Sequence, residues 1–206
     1  MNSKFDGYEY IAVIAPGAVA IFGASLVFPE LKAYISNGSV TIGGLGIFVI
    51  LSYIAGHLIQ AFGNLLEKAL WFPFGGMPTQ WVLKKPQELL SEKQLERLFG
   101  KIKEIDPDFE PMKTDSKNWY ATTREIYGLV KDAQKSERVD SFNRNYGLLR
   151  GIATSFVIST LIALVFNLAT WKVIGLLAFA SGVALYRMYR FGVHYGRELF
   201  VRYLSV

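Results

Sequence analysis

The chain has 206 residues, of which 51% are hydrophobic and 19% are charged, and its formal net charge is +5. The apolar residues are gathered in blocks, which excludes an ordinary soluble domain and indicates a membrane protein. The sequence has no cysteine, which excludes disulfides, thiolate metal sites and cysteine nucleophiles. It also has no phosphate-binding loop, HExxH or calcium-loop motif, so we expect no metal, no cofactor and no enzymatic activity.

Three charge-free stretches are long enough to cross a bilayer as helices. They are residues 10–29, 33–66 and 151–171, with 20, 34 and 21 residues respectively. About 20 apolar residues cross roughly 30 Å of hydrocarbon as a helix. Residues 173–186 form a fourth stretch of 14 residues, and the basic residues on either side of it would extend its effective length. We predict four spans, of which the last two form an antiparallel hairpin; a re-entrant fourth segment is the alternative.

Span one contains a helix defect. Pro16 precedes Gly17 in "IAPGAV". Proline removes a backbone donor and clashes with the preceding turn, so the sequence predicts a kink or a weakened turn at this point.

Span two carries a polar stripe. At about 100° per residue, one face of this helix collects five polar or amphipathic side chains, namely Tyr53, His57, Gln60, Asn64 and Glu67. Hydrocarbon cannot satisfy such groups, so the stripe must face other helices or water. One interpretation is a set of interhelical hydrogen bonds within a four-helix bundle, each contributing about 0.6 kcal/mol. The other is the lining of a pore that several protomers form around a shared axis.

The segment after span two is rich in aromatic residues. Trp71, Phe72, Phe74 and Trp81 surround two glycines and two prolines. Aromatic side chains are enriched at the membrane interface, so we expect this segment at the headgroup level.

Two capping boxes are predicted in the central segment. Ser91 with Gln94 begins an amphipathic helix of about four turns, whose apolar positions include Leu95, Leu98, Phe99, Ile102 and Ile105. The segment "DPDFEPMKTDSKNWY" then breaks the helical pattern. Thr122 with Glu125 begins a second helix, and no strong breaker follows before Phe166. The sequence therefore predicts one continuous rod of roughly 45 residues and about 65 Å that runs into span three.

Span three contains a ladder of small residues at every fourth position, which comprises Gly147, Gly151, Ser155 and Ser159. Small residues at this spacing allow two helix backbones to approach closely. The partner is either span four, where Ala178 and Gly182 offer a matching small face, or another subunit.

Basic residues and a histidine follow span four, namely Arg187, Arg190, His194 and Arg197. They fit a collar that binds lipid headgroups. The six residues between Arg187 and His194 also resemble the loose arginine-to-histidine motif of HEPN-type ribonucleases.

These elements predict an all-α membrane protein with a small helical cytoplasmic layer between spans two and three. Residues 1–70 hold spans one and two, residues 71–142 the cytoplasmic region, and residues 143–206 spans three and four with a basic tail. Twenty of the 22 Lys and Arg residues lie on the side of both termini and the central segment. The positive-inside rule therefore places that side in the cytoplasm.

Three patches resemble a group of small four-span bacterial membrane proteins, some of which are encoded in anti-phage defence cassettes. The patches are "GHLIQAFGNLLE", "SFNRNYGLLRG" and "FGVHYGRELF", and the Hailong and CRISPR-associated membrane effectors are similar in size. The resemblance implies an inner-membrane effector that assembles into homo-oligomers. It also implies activation by a cytoplasmic defence sensor or a nucleotide signal.

Three functions from different classes are consistent with the sequence. A channel or pore-forming effector accounts together for the polar stripe, the ladder and the basic cytoplasmic layer, and we rank it first. A non-catalytic scaffold or partner-binding subunit ranks second, because packing alone could explain the same features. A membrane-tethered ribonuclease accounts only for Arg187 and His194. Membrane lipids are the expected partners, since the mixed charges of the central segment do not favour nucleic acid.

Overall fold

The computed structural model describes residues 7–31, 42–84, 87–166 and 169–206. Most of these residues are helical, with no strand among them, which confirms the predicted fold class. The main helices are α1 (Gly7–Val27), α2 (Ile42–Trp71), α3 (Pro78–Trp81), α4 (Glu92–Ile105), α5 (Ser116–Asp132), α6 (Glu137–Val165) and α7 (Trp171–Tyr203), and a 3₁₀ turn (Phe72–Phe74) follows α2.

Four helical stretches are long and apolar enough to cross a membrane. They are Tyr10–Val27, Gly43–Trp81, Glu137–Val165 and Trp171–Tyr203. The short fourth stretch of the sequence lies inside α7, which continues unbroken for 33 residues. A re-entrant segment would have to reverse within this stretch, so the helix favours a full span.

The last two spans pack as an antiparallel pair. Ala163 of α6 clusters with Leu177 of α7. Thr160 precedes Ala163 in α6 and Ser181 follows Leu177 in α7, and the hydroxyl oxygens of Thr160 and Ser181 lie 3.4 Å apart. Residue numbers therefore fall along α6 as they rise along α7, as the predicted hairpin requires.

The chain divides into two compact units. Residues 1–67 and 147–188 form the first, called here the span unit, and residues 68–146 and 189–206 form the second, called the core unit. The sequence assigned the C-terminal tail to spans three and four. The structure assigns residues 189–206 to the core unit, because this segment supplies large apolar side chains to the core of that unit.

In the span unit, α1 and α2 touch through their backbones. A Cβ added at Gly17 would overlap the carbonyl oxygen of Ser52, and one added at Gly56 would overlap that of Val13. Only glycine allows this approach, which is the usual way that helices pack in lipid.

The small-residue ladder of α6 packs against α1. Ser155 Oγ donates to Pro16 O at 2.8 Å. A Cβ at Gly151 would lie 2.6 Å from Pro16 Cγ, and one at Gly23 would overlap Ser159 Oγ. The sequence had offered span four or another subunit as the partner, whereas these contacts are made with span one of the same chain. Around Gly147 the structure leaves open space.

The small face of α7 has no part in this contact. Ala178 and Gly182 are exposed, and a Cβ at Gly182 would meet no atom within 4 Å. Instead, α7 buries Leu177 and Ser181, which lie on another side of the helix.

The core unit has a large apolar core. Its buried side chains come from α4, α5, α6, α7 and the connecting segments, and the largest are Leu98, Ile102, Phe109, Trp119, Ile126, Phe200 and Tyr203. The first predicted capping box is confirmed, since Ser91 Oγ accepts from Gln94 N and the side chain of Gln94 accepts from Ser91 N.

The second predicted capping box is wrong. The N-cap is Asp115, seven residues before Thr122, and the helix begins at Ser116, because Asp115 Oδ1 accepts from Asn118 N at 2.7 Å. Thr122 therefore lies inside α5, where its hydroxyl donates to Asn118 O.

The predicted continuous rod is also wrong. Helix α5 ends at Asp132, and Gln134 has a positive φ of 58° that breaks the helical path. Ser136 then starts α6 by donating to Asp140 Oδ2 at 2.8 Å, while its carbonyl accepts from Asp140 N. No glycine or proline marks this turn, so the breaker rules did not detect it.

Candidate functional site in the span unit

A polar network forms where the helix defect of α1 meets α2. Because Pro16 has no N–H, it cannot donate to the carbonyl of Ala12 four residues earlier. Gln60 Nε2 of α2 fills this role, donating to Ala12 O at 3.0 Å. The glutamine of the stripe thus satisfies a carbonyl that the proline leaves without its helical donor.

Arg150 of α6 extends the network. Its Nη2 donates to Gln60 Oε1 at 3.2 Å, and its Nη1 contacts Glu67 Oε2 at 2.5 Å. The Arg150 and Glu67 side chains are 23% and 21% exposed, so solvent screens this ion pair only in part. The aliphatic part of the Arg150 side chain packs on Gly63, where an added Cβ would lie 3.4 Å from both Arg150 Cγ and Nε. The network therefore fixes α2 to both α1 and α6.

The role of Arg150 could not be predicted from the sequence, where this residue marks only the boundary of span three. Arg150 lies 83 residues from Glu67 and on another helix, so helical spacing could not pair them. The available signal was charge: Glu67 ends the charge-free stretch of span two, and Arg150 precedes that of span three.

The structure divides the predicted stripe in two. Gln60 and Glu67 lie in the network, whereas Tyr53, His57 and Asn64 are exposed. Helix geometry explains the division. The buried face of α2 is formed by Ser52, Gly56, Ile59 and Gly63. At about 100° per residue, Glu67 and Gln60 lie closest to that face, and Asn64 and His57 lie farthest from it.

The exposed half of the stripe, called here the outer edge, consists of Tyr53, His57 and Asn64. The rings of Tyr53 and His57 pack edge to face, with centroids 4.6 Å apart. Next to it, α2 exposes a broad apolar surface that includes Ile54, Leu58, Phe62 and Leu65, each more than half exposed. The outer edge is thus a polar strip on an otherwise apolar outer surface.

The basic residues after span four have separate roles. His194 stacks on Phe142 with ring centroids 5.4 Å apart, and Arg190 Nη2 lies 3.5 Å from His194 Nε2. Arg197 Nε donates to Leu89 O at 3.0 Å and fixes the segment before α4. Arg187 is exposed and belongs to the span unit.

The aromatic segment that begins at the end of α2 is partly buried. Trp71 is buried, its Nε1 donates to Tyr146 Oη at 2.8 Å, and its ring stacks on Tyr189. Phe72 and Phe74 are exposed, so these two rings remain available to a membrane interface.

Within the described ranges, the acidic and histidine side chains form no group of three that could hold a metal ion. Comparisons with protein families, with curated proteins and with solved structures found no match for this chain.

Proposed function

We propose that this protein is an oligomeric channel or pore-forming effector of the bacterial inner membrane, and that the outer edges of several protomers line the pore. The observation that carries the proposal is the exposure of Tyr53, His57 and Asn64 on a helix that is apolar enough to span a membrane. Polar side chains within a span face a protein interior or a water-filled cavity, because lipid cannot bond to them.

Assembly into an oligomer would supply the water-filled space that a single chain lacks. The small faces of α1, α2 and α6 contact one another within one chain, and the outer edge is left outside these contacts. Copies arranged around an axis would give each outer edge water on one side and protein on the other. The Gln60–Arg150–Glu67 contacts hold α2 in the rotation that presents this edge.

The proposed orientation follows the basic residues. Both termini and the central segment lie in the cytoplasm, because 20 of the 22 basic residues would then be inside. There they would meet anionic headgroups and an activating signal from a defence sensor or a nucleotide. A reporter that is active only in the periplasm should be inactive when fused at Ser116 or after Val206, and activity at either point would refute this orientation.

The decisive test is conductance in a planar bilayer. Asn64→Leu removes a polar group from the outer edge, and we expect a lower unitary conductance with unchanged oligomer size and melting temperature. Phe62→Leu is the control, because Phe62 is exposed on the apolar surface of the same helix. Unaltered unitary conductance in Asn64→Leu, or an equal loss in Phe62→Leu, would contradict the pore.

A scaffold that binds another membrane protein is the second candidate. It is favoured by the exposed small face of α7, where Gly175, Ala178 and Gly182 lie on one side and neither glycine has a neighbour within 4 Å of an added Cβ. A partner helix could approach this face closely. If the purified chain is monomeric and non-conducting, and Gly182→Leu abolishes capture of a membrane partner, the scaffold replaces the channel.

A further inference from the structure

The core unit contains a groove that its own packing does not fill. It has a volume of about 510 Å³ and lies between residues 75–84 and residues 111–119. Small-molecule sites in proteins typically occupy about 300 to 1,000 Å³. The groove is therefore large enough for a small ligand.

The inner wall of the groove is firmly held. Trp119 is buried, and its Nε1 donates to Thr79 O at 2.8 Å, which joins α5 to α3. The centroid of the Trp119 ring lies 6.0 Å from the ring centroids of Phe109 and Phe200. The position of this wall is therefore fixed by the aromatic core of the unit.

The lining of the groove contains one cationic group. Lys84 is the one residue with an ionisable side chain among those that line it. Its Nζ donates to Gly75 O, a carbonyl presented by a turn in which Gly75 has a φ of 74°. This bond uses one of the three ammonium protons, so two remain for a ligand. Asp115 lies between two lining residues in the sequence but is not itself part of the lining, and its Oδ1 accepts from Asn118 N.

Two neutral donors accompany Lys84. Gln80 Oε1 accepts from Met77 N at 3.0 Å, which leaves the amide NH₂ of Gln80 to donate. The Ser116 hydroxyl is not needed to cap α5, since Asp115 performs that role. The groove thus offers an ammonium, an amide and a hydroxyl, together with apolar contacts from Leu83, Pro111 and Met112.

We propose that this groove binds the phosphoryl group of an anionic ligand. A phosphoryl group presents several acceptor oxygens to donors from different directions and gains from charge-assisted hydrogen bonds. The apolar wall would contact the rest of the ligand, whether this is a soluble phosphorylated molecule or a phospholipid. Binding can be measured without any conductance, so this proposal stands or fails separately from the channel.

Titration calorimetry on the full-length protein tests the proposal. The soluble probes are ATP and inorganic phosphate, added to protein in dodecyl maltoside micelles, which carry no phosphate. The lipid probe is short-chain phosphatidylglycerol, added to the same micelles. Lys84→Gln should weaken binding by about tenfold or more, since it removes a charged hydrogen bond. Ser116→Ala should weaken binding by a few-fold.

Lys93→Gln is the matched control. It makes the same charge change at an exposed position of α4, outside the groove, and should bind as the wild type does. Binding of ATP or phosphate supports a soluble ligand, and binding of phosphatidylglycerol alone supports a headgroup. The proposal is overturned if no probe binds, or if Lys84→Gln and Lys93→Gln, both shown to be folded by circular dichroism, have equal affinities.

Discussion

The two units bury opposite kinds of side chain. In the part of the chain that the structure describes, every buried polar side chain lies in the span unit, and these are Ser25, Ser52, Thr154, Ser155, Ser159 and Ser181. The largest fully buried side chains, Trp119, Tyr203, Phe109 and Phe200, all lie in the core unit. The large apolar side chains of α2 are instead mostly exposed.

The difference fits two units that pack in different solvents. In water, removal of apolar area drives packing, so a unit gathers its large apolar residues inside. In lipid the tails are as apolar as the side chains, so helices associate through close backbone approach and hydrogen bonds. The span unit follows the second rule, and its exposed apolar surface is the expected contact with lipid.

A matched pair of phenylalanine substitutions gives the largest expected effect. Phe200 is fully buried in the core unit, whereas Phe62 is 54% exposed on α2. Phe200→Ala should reduce the free energy of unfolding by about 3 to 5 kcal/mol because it opens a cavity. Phe62→Ala should cost about 0.5 kcal/mol or less. Denaturant unfolding in detergent, followed by circular dichroism, compares the two, and equal costs would refute the proposed difference in solvent.

Within the span unit, the destabilising change should be the opposite one, from a small residue at a helix contact to a large residue. Gly151→Leu pushes against Pro16 and should cost about 1 to 3 kcal/mol through overpacking. Gly147→Leu is the control on the same ladder, because an added Cβ meets no atom within 4 Å there. The melting temperatures of the two variants give the comparison. If Gly147→Leu is the more damaging, then Gly147 rather than Gly151 contacts another helix, and the ladder also serves assembly.

The two halves of the stripe should separate by their effect on stability. Gln60→Leu leaves the carbonyl of Ala12 without its donor and should cost about 1 kcal/mol. Asn64→Leu changes an exposed residue of the outer edge and should leave the melting temperature unaltered. Thermal scans should therefore show a lower melting temperature for Gln60→Leu than for Asn64→Leu. Equal destabilisation would mean that the whole stripe packs against protein.

The smallest expected effect is a pH dependence in the core unit. Partial burial, together with the hydrogen bond from Tyr127 to Asp140, raises the pKa of Tyr127 from 10.0 to about 12. The unfolded chain loses this proton near pH 10 while the folded chain retains it, so stability is complete below pH 10 and falls as the pH rises toward 12. A difference of one proton between the two states would lower the free energy of unfolding by about 1.4 kcal/mol per pH unit. Solvent screening reduces the loss to a fraction of that value.

Tyr127→Phe provides the control for this pH dependence. The variant cannot lose a phenol proton, so its unfolding free energy should decline less steeply than that of the wild type between pH 10 and 12. Identical slopes would show that Tyr127 does not titrate differently in the folded protein.

The sequence predicted those features of the helices whose signals lie within one short stretch of chain. The Ser91 cap needed only a partner three residues away, and the four spans needed only length and apolar composition. The start of α5 and the break at Gln134 were missed, since a capping aspartate among several turn formers and a positive φ at a glutamine give weak signals.

The sequence by itself determined that four apolar helices form, that span two has a polar face and that α6 has a small-residue face. These are periodicities within one helix, and a helix turns every 3.6 residues wherever it lies. Tertiary structure alone decided that Gln60 bonds to the carbonyl left by Pro16, that Arg150 pairs with Glu67, and that the outer edge stays exposed. Such pairings depend on the rotation of one helix against another, which is set by the simultaneous packing of residues up to 139 positions apart.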